Sequence, residues 1–210
     1  MAEPDEGTVE ALAARILGLP PAPLRLRIAV AGPPGAGKST LARALVDRLN
    51  RDAARAALVP MDGFHLDNAV LDARGLRARK GAPETFDGLG VLRMIERLGQ
   101  DPEVVIPGFD RARDIAIAGA AVVEPGHRIA VVEGNYLLLD DDPWRRLHPL
   151  WDLSVMLSPP VDVLRQRLID RWLAYGHDPA AAEARALGND IPNALRVVEG
   201  SLPADLVLRD

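Results

Sequence analysis

A layered α/β domain built on a parallel sheet is the fold that the sequence predicts, on three observations. Short apolar runs alternate with segments of helical period along the whole chain. The runs are apolar at successive residues rather than at every second one, as in Ile28–Ala31 and Ile129–Val132, the pattern of strands covered on both faces. One of them leads directly into a glycine-rich turn and then a helix, Gly32-Pro33-Pro34-Gly35-Ala36-Gly37-Lys38-Ser39-Thr40.

The elements follow in order. Val9, Leu12, Ile16 and Leu17 predict an amphipathic helix over 8–18, ended by Pro20-Pro21-Ala22-Pro23. Leu26–Ala31 is the first strand. Leu41, Leu45 and Leu49, spaced by four, give the helix after the glycine-rich turn. Ala56–Pro60 is a second strand, and 67–87 is a polar, Gly-punctuated surface excursion. Leu89–Leu98 is helical. Val104–Ile106 and Ala116–Val123 are short strands around a loop. Arg128–Glu133 and Leu153–Leu157 are buried strands. Val161, Leu164, Leu168 and Trp172 mark one helix face, 176–190 a Gly-bounded mobile segment, Ile191–Glu199 a short helix and Asp205–Leu208 a last strand. Asp140-Asp141-Asp142 before Pro143 predicts a helix start with an Asp cap and Pro in the first turn. Trp144, Trp151 and Trp172 are expected in the core, and His127 and His148 in structural roles.

Length and composition narrow the classes. The 210 residues suit one domain at ~100–200 residues each. A net charge of −5 argues against a nucleic-acid binder, which usually carries a basic excess. With no cysteine, disulfides, thiolate catalysis and Cys-based metal sites are excluded. The start lacks the basic and apolar regions of a signal peptide, and no apolar run reaches the ~18 residues of a membrane helix. The chain is expected to be cytoplasmic, without membrane insertion; a monomer and a homodimer both stay open. Of 25 basic residues only Lys38 and Lys80 are lysine. Arginine-favouring coding is the plain explanation. Under it, a lysine marks a candidate place for a compact ammonium that arginine's rigid fork does not replace.

Residues 32–39 satisfy G-x-x-x-x-G-K-[ST] between a buried strand and a helix, the context a phosphate-binding loop requires. Its backbone N–H groups and the helix N-terminus would cradle phosphate oxygens. Lys38 would reach the β- and γ-phosphates and Ser39 would face Mg²⁺. Glu133, ending an apolar strand, is the candidate partner acid for the metal. Asp62 follows the second strand, so it too emerges at the carboxyl edge of the sheet, where open α/β folds bind ligands. There it could take the proton from an attacking hydroxyl; an ordinary turn Asp in an Asp-Gly pair is the plain alternative. Arg167 and Arg171, four apart on a helix, could clamp phosphates from a lid hinged at Gly176, or could form a solvated flank.

The glycine-rich loop, Asp62-Gly63-Phe64, the stretch Arg79-Lys80-Gly81-Ala82-Pro83-Glu84-Thr85-Phe86-Asp87, Glu133-Gly134 and Ala204-Asp205-Leu206-Val207 together resemble the uridine kinase, pantothenate kinase and phosphoribulokinase branch of P-loop kinases. Met61–Asn68 combined with Arg79–Asp87 is most similar to a bacterial subgroup labelled fructose transport system kinases. The resemblance spans about 25–210. It implies a three-layer α/β/α P-loop NTPase fold with a five-stranded parallel sheet in the order 2-3-1-4-5 and a small lid, ATP and Mg²⁺ as cofactors, Asp62 as base, and Arg167 and Arg171 as lid arginines. Residues 1–24 would be an N-terminal helix and linker, with an acceptor-side insertion at about 62–127 and the lid at about 165–190. Candidate substrate-binding residues are Asp62, Phe64, His65, Arg79, Lys80, Arg111, Asn135 and Tyr136. The chain departs from its relatives too. Gly63-Phe64-His65 stands where uridine kinases carry Ser-Phe-Tyr, and Phe109-Asp110-Arg111 where pantothenate kinases carry Tyr-Ser-His. Neither acceptor is therefore carried over.

The expected activity is transfer of the γ-phosphoryl group of ATP to a hydroxyl of a small metabolite, a sugar such as fructose or a nucleoside. The runner-up is a nucleoside monophosphate kinase using Arg74, Arg77 and Arg79 around the acceptor. A noncatalytic nucleotide-binding regulator is the third reading. A GTPase would need Asn-Lys-x-Asp, which the two lysines do not allow, and the Leu-Ser-Gly-Gly-Gln signature of transport ATPases is absent.

Overall fold

The computed structural model describes residues 4–51, 53 and 55–209. Residues 1–3 of the expected N-terminal segment and residue 210 of the expected domain lie outside them. The chain runs α1 (Glu6–Leu17), β1 (Leu26–Ala31), α2 (Lys38–Leu49), β2 (Ala56–Pro60), α3 (Asn68–Ala73), α4 (Gly88–Leu98), β3 (Val104–Asp110), β4 (Ile115–Val123), β5 (Ile129–Gly134), β6 (Leu153–Leu157), α5 (Val161–Ala174), α6 (Pro179–Arg185), α7 (Ile191–Gly200) and β7 (Leu206–Leu208), with short 3₁₀ turns between. β2, β5, β1, β6 and β7 lie side by side, all parallel. Numbered along the sheet's own strands this is 2-3-1-4-5, the order that the resemblance implies. β3 and β4 form a separate antiparallel ribbon.

The apolar runs are explained by cover on both faces. Ile28 and Val30 of β1 point toward Leu12 and Ile16 of α1 and Leu41 and Leu45 of α2. Ala29 and Ala31, between them, join Val132, Tyr136, Trp144 and the α4 residues Leu92, Ile95 and Leu98 on the other face. The chain leaves β1 toward β2 on one side, and leaves β5 toward β6 on the other. The crevice at the carboxyl ends of β1 and β5 is thus the switch point where such sheets bind ligands.

The amino end of the sheet is closed by one cation. Arg25 is 1% exposed and spends its guanidinium on five backbone carbonyls: His127, Leu98, Asp101, Pro102 and Glu124, at 2.7–3.4 Å. It thereby ties the root of β1 to the end of α4, the foot of the ribbon and the turn before β5. His127 and His148 are structural, as expected: His127 Nδ1 accepts the Glu124 N–H, and His148 Nε2 meets the Pro203 carbonyl.

Three expectations are corrected. The Asp140–Asp142 run caps no helix. Pro143 itself stands at the N-cap of a 3₁₀ turn, Trp144–Leu150, with no side-chain cap; Asp140 and Asp141 instead pair with Arg145 and Arg196. Residues 176–190 are largely helical, because Asp178 caps α6 through the Ala181 N–H and Pro179 suits its first turn. A π-turn, Ala186–Asp190, joins α6 to α7. On α5 only Leu164 and Leu168 are buried. Val161 is exposed, and Trp172, unlike the buried Trp144 and the partly buried Trp151, lies outside the core against Tyr175, His177 and Arg185.

Replacing Arg25 with Met keeps the volume but leaves buried carbonyls without donors. The expected cost is roughly 2–3 kcal/mol, which for a chain of this size lowers Tm by about 4–12 °C. A thermal melt matching wild type would remove Arg25 as the clasp of this end.

Candidate active site

The turn after β1 is held by its own backbone. The Ala36 N–H donates to Pro33 and the Thr40 N–H to Gly37, both at 3.1 Å. Gly35 and Gly37 take φ of +83° and +91°, a region that disfavours side chains. Gly37 is the N-cap of α2 and no side chain caps that end, so its first N–H groups are left for a ligand. Lys38 is the first residue of the helix. Its side chain is buried, and Nζ donates to the Pro33 carbonyl at 2.9 Å. Burial pulls its pKa down to about 8, against the opposing pull of Glu133 and Asp62. Glu133, at the end of β5, is buried in turn. Burial raises its carboxyl above the ordinary range, offset by Lys38 and by a hydrogen bond with the Ser39 side chain.

Asp62 sits in the 3₁₀ turn Met61–Phe64 that follows β2. Its Oδ2 accepts from Arg111 Nη2 at 2.5 Å. Arg111 comes from the tip of the β3–β4 ribbon, which packs against the turn so closely that a Cβ on Gly63 would stand 2.5 Å from the Pro107 oxygen. The glycine of Asp62-Gly63 is therefore demanded by ribbon contact. His65 closes the turn. Its backbone N–H and its Nδ1 both meet the Asp62 carbonyl, at 3.1 and 2.8 Å. Its ring lies between Phe86 and Phe109, with centroids 4.0 and 4.5 Å away. Burial lowers the imidazole's pKa.

These groups border one cleft of about 700 Å³. Of the expected residues it brings together Pro34, Gly35, Gly37, Lys38, Ser39, Asp62, His65, Arg111, Glu133, Asn135, Arg167 and Arg171. Gly32, Pro33, Ala36 and Thr40 shape the loop without bordering the cleft.

Four expected substrate contacts are not brought there. Lys80 is buried elsewhere. Its ammonium donates to Asn68 Oδ1 and the Asp114 carbonyl and pairs with Asp114 Oδ2, each at 2.8 Å, with the Phe109 ring 5.3 Å away. It is a fastener between α3 and the ribbon tip. Arg79 pairs with Glu84 on the surface. Phe64 packs against the core. Tyr136 is fully buried and its hydroxyl donates to the Gly81 carbonyl.

The cleft also has walls that the sequence reading missed: Arg43, Gly81, Phe86, Asp170, Tyr175, Asp190 and Asn193. Arg43 lies one turn beyond Ser39 on α2, so helical spacing would have found it. Asp190 was hidden by reading 176–190 as mobile, and Asn193 stands on the short helix that the sequence does predict. In the structure the Trp172 indole N–H donates to Asp190 at 2.6 Å, and the Asn189 amide to the Lys80 carbonyl at 3.0 Å, tying the π-turn to α5 and to the 79–81 loop. Burial raises the Asp190 carboxyl, partly offset by that indole bond.

Among the described residues no cluster of three or more His, Cys, Asp or Glu could hold a metal by itself. Ser39 and Glu133 nevertheless fit Mg²⁺, which binds through one or two protein oxygens, several waters and phosphate oxygens of a substrate. No helix among the described residues is long and apolar enough to cross a membrane.

Comparison with known proteins agrees with this geometry. A model of the phosphoribulokinase / uridine kinase family matches residues 27–199. A crystal structure described as a putative fructose transport system kinase, from Silicibacter sp. TM1040, is 50% identical, with a TM-score of 0.91 over 95% of this chain and 98% of that one. The Escherichia coli (strain K12) protein YggC is 39% identical over 88% of this chain and 77% of its own length. A Schizosaccharomyces pombe protein described as a putative uridine kinase is 34% identical over 98% of this chain and 92% of its own.

The depressed Lys38 pKa has a measurable sign. Between pH 8 and 10.5 the unfolded lysine holds a proton that the folded one has released, so its burden on stability eases as pH rises. Lys38→Met should therefore stabilise the nucleotide-free protein at pH 7, by an amount on the order of 3 kcal/mol, and the gain should fade toward pH 10.5. Thermal melts of both proteins across that range check it; a gain that grows with pH contradicts it.

Proposed function

The chain belongs to the phosphoribulokinase / uridine kinase family, and we propose that it transfers the γ-phosphoryl group of ATP to a hydroxyl of a small metabolite, a sugar or a nucleoside. The observation that carries the reading is the sharing of one cleft by a phosphate-binding loop with its buried lysine and a carboxylate, Asp62, that can take a proton. ATP would lie on the 32–40 loop with Lys38 at its terminal phosphates. Mg²⁺ would be held by Ser39 and, through water, by Glu133, and would draw charge off the phosphate oxygens. Asp62 accepts the proton of the attacking hydroxyl, while Arg111 fixes the orientation of its carboxylate. Arg167 and Arg171, on the facing wall, stabilise charge on the phosphoryl oxygens. Residues of about 165–190 act as the lid and those of about 62–127 as the acceptor side, and use of ATP suits a cytoplasmic protein. The likeness to a chain described as a fructose transport system kinase supports a sugar as acceptor.

The monophosphate-kinase reading loses its support at the acceptor end. Arg77 and Arg79 are paired with Asp72 and Glu84 on the surface and border no part of the cleft.

A coupled assay of ADP release over sugars, nucleosides, pantothenate, glycerate and nucleoside monophosphates tests the reading. Lys38→Ala should cost about 10²–10³ in kcat, the worth of one donor to transition-state charge; near-wild-type turnover would falsify the assignment. Asp62→Asn should bind ATP normally and lose about 10²–10⁴ in kcat, the usual range for a general base. If the same variant phosphorylates nucleoside monophosphates efficiently, the acceptor is a phosphate and the runner-up prevails.

A further inference from the structure

One feature of the acceptor end has no use in the transfer step. The Asp62 carbonyl is an acceptor only, so His65 must carry its proton on Nδ1 to bond it. The same carbonyl takes the backbone N–H of His65, which fixes the ring at two points. Phe86 and Phe109 hold it from the sides, and His65 and Phe86 also form an isolated antiparallel bridge. The tautomer thus leaves the lone pair on Nε2. That nitrogen has no partner among the described residues and is not among the buried orphan atoms, while the ring borders the cleft. This acceptor, fixed in direction and left open on the cleft, is met by water until a ligand donates to it.

Resting on the hydroxyl-kinase reading, we propose that His65 determines acceptor specificity: its Nε2 accepts a hydrogen bond from a second hydroxyl of the substrate, one that is not phosphorylated. The charges nearby set the class. Asp62, like His65, offers only acceptors to the ligand. The cation beside Asp62, Arg111, has its charge offset by that carboxylate, and Lys80 is turned away to Asp114. A ligand that donates several hydrogen bonds and brings no charge fits this end; a carboxylate or phosphate would meet the Nε2 lone pair and the Asp62 carboxylate. The acceptor is a neutral polyhydroxyl compound.

The test has two arms. In the first, wild-type protein with ATP and Mg²⁺ is offered D-fructose, D-ribose, glycerol and uridine, against D-glycerate, pantothenate, ribulose 5-phosphate, AMP and UMP. Phosphorylation of a neutral compound is the expected result. Transfer confined to D-glycerate, pantothenate or ribulose 5-phosphate overturns the inference and leaves the hydroxyl-kinase reading standing. Transfer to AMP or UMP alone, or to nothing, overturns that reading and the inference with it.

In the second arm, the active neutral compound is compared with its mono-deoxy analogues in wild type, His65→Asn and His65→Gln. Asn retains a donor for the Asp62 carbonyl and removes the Nε2 group; Gln replaces an acceptor near the Nε2 position. For Asn, KM of the acceptor should rise about 10–100-fold with KM of ATP unchanged, and Gln should recover part of the loss. One deoxy analogue should suffer the same penalty in wild type and almost none further in Asn, because both changes remove one bond. Additive losses, or an Asn variant with wild-type acceptor KM, would leave His65 as a packing residue only.

Discussion

A positive charge taken out of water without an anion beside it is the constraint around which this molecule is arranged. Lys38 opens α2 at the carboxyl end of β1, and its ammonium donates to a carbonyl of its own loop. Glu133 and Asp62 contribute field to it. A carboxylate in direct contact would satisfy it and close the site. The fold instead places the acids at the ends of the two neighbouring strands, β5 and β2, and keeps the crevice between them open. Strand order, loop glycines and the burial of Glu133 together leave that one cation without an anion in contact among the described residues.

The stiffness needed for that comes from cations of another kind. Arg25 and Lys80 are both nearly sealed from solvent, and both collect oxygens from distant segments. Arg25 pins the amino edge of the sheet with its planar fork. Lys80 draws α3 and the ribbon tip together with an ammonium that radiates in three directions. The chemistry of the two lysines of the chain is therefore opposite: Lys38 is held back for a ligand, and Lys80 is spent on the protein.

The parallel sheet was legible almost to the residue. Leu26–Ala31, Ala56–Pro60 and Leu153–Leu157 are read correctly because each is a mainly apolar run that begins just after a charged residue, Arg25, Arg55 and Asp152. The phosphate loop, Asp62, Glu133 and the α5 arginines were legible because each has a fixed place relative to a strand or helix end. Illegible were the side chains whose role depends on a remote partner. Nothing near Lys80 in sequence announces Asp114, and nothing near Tyr136 announces the Gly81 carbonyl. The reading of 176–190 as mobile gave Gly176 and Gly188 too much weight. Asp178-Pro179 followed by an alanine-rich run is a helix start, and the Asp190 wall that the cleft gains from this region went unseen with it.

The β3–β4 ribbon shares no strand pairing with the main sheet, and it meets the site through its tip and through the close approach at Gly63. Arg111 is carried there, on a turn whose length nothing in the sheet dictates. Sheet and ribbon are consequently separable as pieces of architecture: one is woven strand to strand, the other is hung beside it like a key on a ring. A new ribbon tip can change what the cleft admits without asking a single strand to move.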